Sequence, residues 1–281
     1  EACCRKNYYL SADLGGTNSR VALIDMEGGS FTPLFIERYK SSEIRDLPGV
    51  FRKAFIRAER KGKIPVALAI SAAGPVRDNR CTMTNLPWVI DGRSLSQQLK
   101  IPCKIMNDFS ALGYALPTLD LEDPSKVLPL PQPGGVLPKP SGSVWGLVGA
   151  GTGLGTGFVV QQDKQVISLS SEGGHADFPV FDEETWQLQQ YLSKKIGFNP
   201  EVERVVSGSG IASIYDFYRV QGVIKDSENT ARVDSKSENE KPEEISRIAK
   251  EDPSFAPIFH LFVRCYRSEE HTSELQSRQV I

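Results

Sequence analysis

The stretch Trp145-Gly-Leu-Val-Gly-Ala-Gly-Thr-Gly-Leu-Gly-Thr-Gly-Phe-Val-Val160 decides how this chain is read. Apolar residues enter and leave it, and every second residue from Gly149 to Gly157 is glycine. Glycine tolerates φ > 0 and lets another group approach the backbone closely. A loop this bare predicts amide N–H groups free to face an anion. A smaller version lies upstream in Tyr8-Tyr-Leu-Ser-Ala-Asp-Leu-Gly-Gly-Thr-Asn-Ser-Arg-Val-Ala-Leu-Ile-Asp25. Both read as strand, glycine turn, strand. Two such hairpins far apart in one chain suggest two lobes closing on one phosphate-bearing ligand.

Outward from these hairpins the pattern is α/β. Residues 8–14, 19–25 and 31–39 read as three strands in an antiparallel meander. Val50, Phe51, Ala54, Phe55 and Ala58 recur at helical spacing within 47–61. The continuous apolar run 64–72 predicts a buried parallel strand. A short helix is expected at 91–99, a buried strand at 104–106 and a helix at 109–116. Residues 119–142 are rich in proline and glycine and carry no periodicity, which marks a connector and domain boundary. Beyond the long glycine hairpin a strand is expected at 165–169. Asp182 should cap a helix over 183–196 with Trp186, Leu188, Tyr191 and Leu192 as its apolar positions. A helix follows at 211–220, and a last one begins near Pro257. Residues 225–244 are polar and charged and read as a flexible insertion. The expected organisation is a small lobe (8–118), the connector (119–142) and a large lobe (143–266).

Residues 267–277, Arg-Ser-Glu-Glu-His-Thr-Ser-Glu-Leu-Gln-Ser, match the uninterrupted translation of a common sequencing-library adapter. An exposed acidic tail is the plain alternative. On the adapter reading, 267–281 is an artefactual tail, native sequence stops near Tyr266, and the second lobe is incomplete.

Bulk properties narrow the function classes. The length of 281 residues fits one large or two modest domains, and 40% hydrophobic residues suffice for real cores. A net charge of −2 gives no general reason to expect nucleic acid or an acidic membrane as partner. No apolar run approaches a membrane span. The five cysteines are scattered without a C-x-x-C pair, which argues against zinc and against a disulfide framework. A reducing cytoplasm is the expected setting. The chain opens at Glu1 without a methionine, which leaves room for a targeting segment upstream.

Several motifs carry chemistry. Asp13-Leu-Gly-Gly-Thr-Asn18 is an ordinary hairpin turn on its glycines alone. Asp13, at the end of what reads as a buried strand, raises it, because a buried carboxylate is costly unless it pairs or holds a cation. Mg²⁺ on a nucleotide prefers such oxygens. This hairpin does not fit a P-loop or a dinucleotide fingerprint, since it leads into a strand rather than a helix. Gly149, Gly151, Thr152 and Gly153 form the more specific phosphate candidate, against a structural glycine hairpin. Asn107-Asp108 lies where a buried strand meets a helix, a position at which ligand-facing residues of open α/β sheets gather. Helix capping is the competing explanation. Asp108 could take a proton from a substrate hydroxyl. Glu172 and His175, in Glu172-Gly-Gly-His175, offer an acceptor and a switchable donor/acceptor suited to sugar hydroxyls. A structural histidine is the alternative. Asn85 precedes Leu86-Pro87-Trp88 and reads as a turn amide beside an aromatic face. Glu203 opens an apolar stretch, where a solvated helix-end charge would also do.

Six of these motifs, Asp13–Arg20, Thr84–Trp88, Asn107–Phe109, Gly149–Gly155, Glu172–Phe178 and Glu203–Gly208, stand in the order and approximate spacing of the bacterial-type glucokinases, which the chain resembles over about residues 8–266. The resemblance implies the actin-like, ribonuclease H-like two-lobe ATPase fold and ATP-dependent phosphorylation of glucose with Mg²⁺. It implies Asp108 as the base that activates the 6-hydroxyl, with Asn107, Glu172, His175, Glu203 and Asn85 as sugar contacts. Asp13, Gly15, Gly16, Thr17 and Asn18 would clasp phosphate with Gly149, Gly151, Thr152 and Gly153; Asp13 would face the metal, and Arg20 matches less clearly. A homodimer is compatible with the resemblance. A kinase of another hexose or amino sugar, a non-catalytic sugar-binding regulator and an actin-like filament or chaperone ATPase are the competing functions.

Overall fold

A computed structural model describes residues 7–27, 30–84, 86–130, 143–163 and 165–279, the last eleven of these as helix backbone. The chain divides into two compact units, residues 1–112 and 113–281.

The first unit is built on the expected meander. Strands β1 (Asn7–Leu14), β2 (Asn18–Glu27) and β3 (Ser30–Lys40) run antiparallel in sequence order. Helix α1 (Leu47–Glu59) follows, with Asp46 accepting the Gly49 N–H at its start. It returns the chain to β4 (Pro65–Ala72), which pairs parallel with β1. A hairpin of β5 (Val76–Arg77) and β6 (Arg80–Thr82) comes next, joined to β7 (Val89–Asp91) as a separate small sheet. Asp78 and Asn79 turn this hairpin with φ of 52° and 61°. Those left-handed values suit the tight two-residue turns that match strand twist. Helix α2 (Gly92–Leu99) is capped by Asp91. Strand β8 (Cys103–Asn107) pairs parallel with β4, giving the five-strand order β3-β2-β1-β4-β8. Leu10, Leu23, Leu68, Ile70, Ile105 and Phe51 are the core of this unit.

The units meet in sequence inside α3 (Asp108–Ala115), earlier than the connector expected at 119–142. The cause is close packing. A Cβ on Gly113 would fall 2.2 Å from Ser168 Oγ, so the end of α3 belongs with the strands of the second unit. Residues 119–130 form neither helix nor strand, and 131–142 of the expected connector lie outside the described residues.

The second unit opens with an antiparallel sheet of β9 (Val144–Ala150), β10 (Leu154–Gln162) and β11 (Gln165–Ser171). Helix α4 (Glu183–Ile196) has the expected Asp182 cap and ends at Gly197, whose φ is 86°. Of the apolar positions expected on this helix, Trp186 is 48% exposed, whereas Leu188 and Leu192 are buried. Two residues before Leu188, Trp186 sits about 200° round the helix, on the opposite side. Helices α5 (Gly208–Val220), α6 (Glu228–Asp234), α7 (Lys241–Ile248) and α8 (Ala256–Gln279) complete the unit.

Residues 225–244 are therefore corrected: they form α6 and the start of α7 rather than an open insertion. Ser227 and Thr230 build a capping box at the head of α6. Val233, Ile245 and Ile248 are buried in one core with Tyr215, Phe217 and Phe255. Three apolar side chains among many charges suffice because α5 supplies the rest of the apolar surface. Among the described residues no helix is long and apolar enough to cross a membrane.

Val233→Ala, inside this segment and fully buried, should lower the stability of this unit by about 1–3 kcal/mol in urea unfolding. Lys236→Ala, on the exposed side, should change it by under about 0.5 kcal/mol. Equal and negligible effects would return 225–244 to the flexible reading.

Candidate functional site

In the first unit, parallel register gathers the candidate residues at one edge. Leu14 pairs with Ala72 and Ala72 with Asn107, so β1, β4 and β8 end in one row. The next residues along that edge are Gly15-Gly16, the Gly74 turn and the head of α3. The first glycine turn is short: the Gly15 N–H donates to Asn18 O at 3.0 Å. Ser41 anchors it, its Oγ donating to Gly15 O at 2.7 Å and its N–H to Thr17 O at 2.9 Å. Buried Ser19 meets Ser41 Oγ at 2.9 Å. Thr17 and Asn18 are exposed.

Asp13 requires a correction. It is exposed, because alternation along β1 buries Ala12 and Leu14 and turns Asp13 to the other face. No burial penalty forces it to hold a cation. Ser71 Oγ donates to it at 3.4 Å, a weak contact. Arg20 lies opposite Asp13 on β2 and opposite Arg38 on β3, and is exposed.

Asn107 caps α3: its Oδ1 accepts the Phe109 N–H at 2.9 Å and the Ser110 N–H at 3.3 Å. Its amide nitrogen donates to Gly74 O at 3.3 Å. The capping explanation thus holds for Asn107 and leaves Asp108 at the edge. Asp108 is exposed, and one carboxylate oxygen accepts the Phe109 N–H at 2.8 Å. Behind it the buried Cys81 thiol is pushed above its usual pKa, first by burial and then by the charge of Asp108. Asn85 lies outside the described residues.

In the second unit the glycine hairpin is a docking point. Gly151 N–H donates to Gly153 O, and Gly208 N–H, at the head of α5, donates to Gly151 O, both at 2.8 Å. Thr152 is exposed. Glu203 Oε2 accepts the Leu154 N–H at 2.8 Å. None of the described glycines with positive φ belongs to either hairpin; they are Gly62, Gly197 and Gly222. The loop carrying Glu172 and His175 is held from the other side of Leu154. A Cβ on Gly174 would lie 2.4 Å from Leu154 O, so only glycine lets this loop reach the strand. Gly173 N–H donates to Thr156 Oγ1 at 3.1 Å.

The structure thus brings Glu172, His175, Glu203 and the glycine hairpin together. It adds Glu201, which the sequence reading missed, 2.9 Å from His175 Nδ1. His175 Nε2 stands 3.8 Å from Glu172 Oε2. The hydrogen bond with Glu201 raises the His175 pKa above its usual value. Partial burial opposes this, and the charges of Glu201, Glu203 and Glu172 add to it. Among the described residues no cluster of histidine, cysteine, aspartate and glutamate could hold a metal alone. A 550 Å³ hollow lined by Glu37, Lys53, Ile56, Arg57, Arg60 and Lys61 includes none of the candidate residues.

A family model for glucokinase matches residues 10–276. The glucokinase of Nostoc punctiforme is 34% identical over 274 residues, covering 92% of this chain and 78% of that protein. That of Nostoc sp. is 37% identical over 227 residues, covering 80% of this chain and 64% of that protein. The crystal structure of a glucokinase from an Antarctic psychrotroph matches with a TM-score of 0.77 at 25% identity, over 96% of this chain and 80% of that one. A glucokinase from Balamuthia mandrillaris, solved in complex with glucose, matches with a TM-score of 0.64 at 20% identity, over 93% of this chain and 74% of that one.

Two predictions follow from this geometry. Gly174→Ala should lower the melting temperature by several degrees, because the new methyl meets the Leu154 carbonyl. Gly151→Ala, with nothing within 4 Å of its Cβ, should leave it almost unchanged. Separately, folded His175 binds its proton more tightly than the unfolded chain does. Its stabilising effect is therefore full below about pH 6.5 and lost as pH rises through the raised folded value. His175→Gln should cost more in urea unfolding near about pH 5.5 than near about pH 8.5, by under about 1 kcal/mol for so exposed a pair. An equal cost at both would remove the proton linkage.

Proposed function

The chain belongs to the glucokinase family, whose members have the actin-like ATPase fold, and from that premise we propose that it transfers the γ-phosphoryl group of ATP to the 6-hydroxyl of glucose. One observation carries the residue assignment. At the edge where β1, β4 and β8 end, Asn107 is committed to capping while the Asp108 carboxylate is exposed. Asp108 is assigned as the general base: it accepts the hydroxyl proton as that oxygen attacks the γ-phosphorus and the bond to ADP breaks. Glu172, His175 and Glu203 are assigned to sugar hydroxyls, which suits two acceptors and one switchable group.

The hairpins at Gly15-Gly16 and Gly149–Gly153 are assigned to phosphate, with the Thr152 hydroxyl as a side-chain donor. Mg²⁺ usually binds through one or two carboxylates together with substrate phosphates. The exposed Asp13 carboxylate fits that habit, and Asp13 is the residue that would face the ion. When bound, Mg²⁺ would neutralise phosphate charge. The buried thiols of Cys81 and Cys103, which form no disulfide among the described residues, are in keeping with a reducing setting.

Asp108→Asn is expected to reduce glucose-dependent ADP release at least about 10²-fold, with glucose affinity by calorimetry nearly unchanged. Retained turnover would reject the base assignment. A panel of glucose, mannose, fructose and N-acetylated sugars tests the substrate, and preference for any other sugar would replace glucose.

A further inference from the structure

Glu201 is a carboxylate whose backbone is unusually well fixed. Asp177 and Glu201 form an isolated antiparallel bridge, and the adjoining Val202 N–H donates to Ala176 O at 2.9 Å. This clamps the segment of Glu201 to the segment just after His175. The Glu201 side chain is 35% exposed, and its Oε2 is 2.9 Å from His175 Nδ1. His175 is also held through its backbone, its N–H donating to Glu172 O at 3.0 Å. An ionised carboxylate only accepts, so the proton of this bond sits on Nδ1. Nε2 is left uncommitted, 3.8 Å from Glu172 Oε2 and beyond a direct hydrogen bond.

We propose that Glu201 is a positioning residue of the sugar site, fixing the ring and tautomer of His175 so that Nε2 is the nitrogen presented, beside Glu172, to a sugar hydroxyl. This rests on the glucose-kinase reading above. The charge of the ring decides what Nε2 offers, an acceptor when neutral and an N–H donor when protonated. The charged groups acting on the ring are Glu201, Glu203 and Glu172, and all three favour the protonated form. A hydroxyl can then accept from Nε2–H while donating to Glu172. A histidine without Glu201 could turn over or protonate the other nitrogen and lose that pairing.

The test uses the full 281-residue chain, which contains three histidines, so His175→Gln identifies the His175 signals. Proton–nitrogen NMR over a pH series should show Nδ1–H in the neutral ring of the wild type, with a midpoint above about 6.5. Glu201→Ala should mix the tautomers and bring the midpoint back toward about 6.5; Glu201→Asp should restore part of both. Glucose calorimetry should show about tenfold weaker binding in Glu201→Ala, with a pH dependence that moves with the His175 midpoint. An unchanged tautomer and midpoint in Glu201→Ala overturns the ring-fixing role. A shifted ring with unchanged glucose affinity overturns the link to the sugar. A wild-type chain that binds no glucose overturns the sugar reading alone, and the spectra still judge whether Glu201 fixes the ring.

Discussion

The second unit is pinned at the peptide of Leu154. Its N–H is held by Glu203 Oε2 at 2.8 Å, and its carbonyl lies where a Gly174 Cβ would intrude at 2.4 Å. The Leu154 side chain is buried in the core. One residue at the start of β10 thus fixes three segments: the glycine hairpin before it, the Glu172–His175 loop and the turn at Val202–Arg204. Hydrogen bonds to an ionised acceptor are roughly twice as strong as neutral ones. That strength matters because two of the three segments are loops.

The first unit reaches the same end by register. Leu14, Ala72 and Asn107 share a row, so three separate chain segments cross one edge. Only the sheet can bring residues 15, 74 and 108 into line, and it does so because α1 and α2 return the chain for parallel pairing. Ligand-facing residues gather beyond the carboxyl ends of such strands for this reason.

The local signals were legible in the sequence. Periodicity announced β1 to β4 and α1, and Asp182 announced the head of α4, because period and cap depend on neighbours a few residues away. The candidate site was partly legible for the same reason: Asn107-Asp108, Glu172-Gly-Gly-His175 and Glu203 lie at element ends. What failed depended on distant partners. Val233 and Ile245 look isolated among charges until α5 is set against them. Asp13 looks buried until alternation along β1 is anchored by the core contacts of Ala12 and Leu14. Ser41 lies 26 residues from the glycine whose carbonyl it holds, and Glu201 lies 26 residues from His175. Nothing local marked either one, apart from the repeat of glutamate at 201 and 203.

Repeated glycine suggested unusual backbone angles and free amides. Neither hairpin has a described glycine at positive φ, and the amides of Gly151 and Leu154 bond to Gly153 O and Glu203. Gly153 and Gly174 serve close approach instead. A Cβ on Gly153 would fall 2.5 Å from Glu203 Oε2, the end of a side chain, whereas one on Gly174 would strike backbone. The second conflict cannot relax by a side-chain rotation, so Gly174 is the stricter requirement. On the phosphate assignment proposed for this hairpin, the donors would have to be other than these two amides, and the exposed Thr152 hydroxyl is a side-chain donor the hairpin presents.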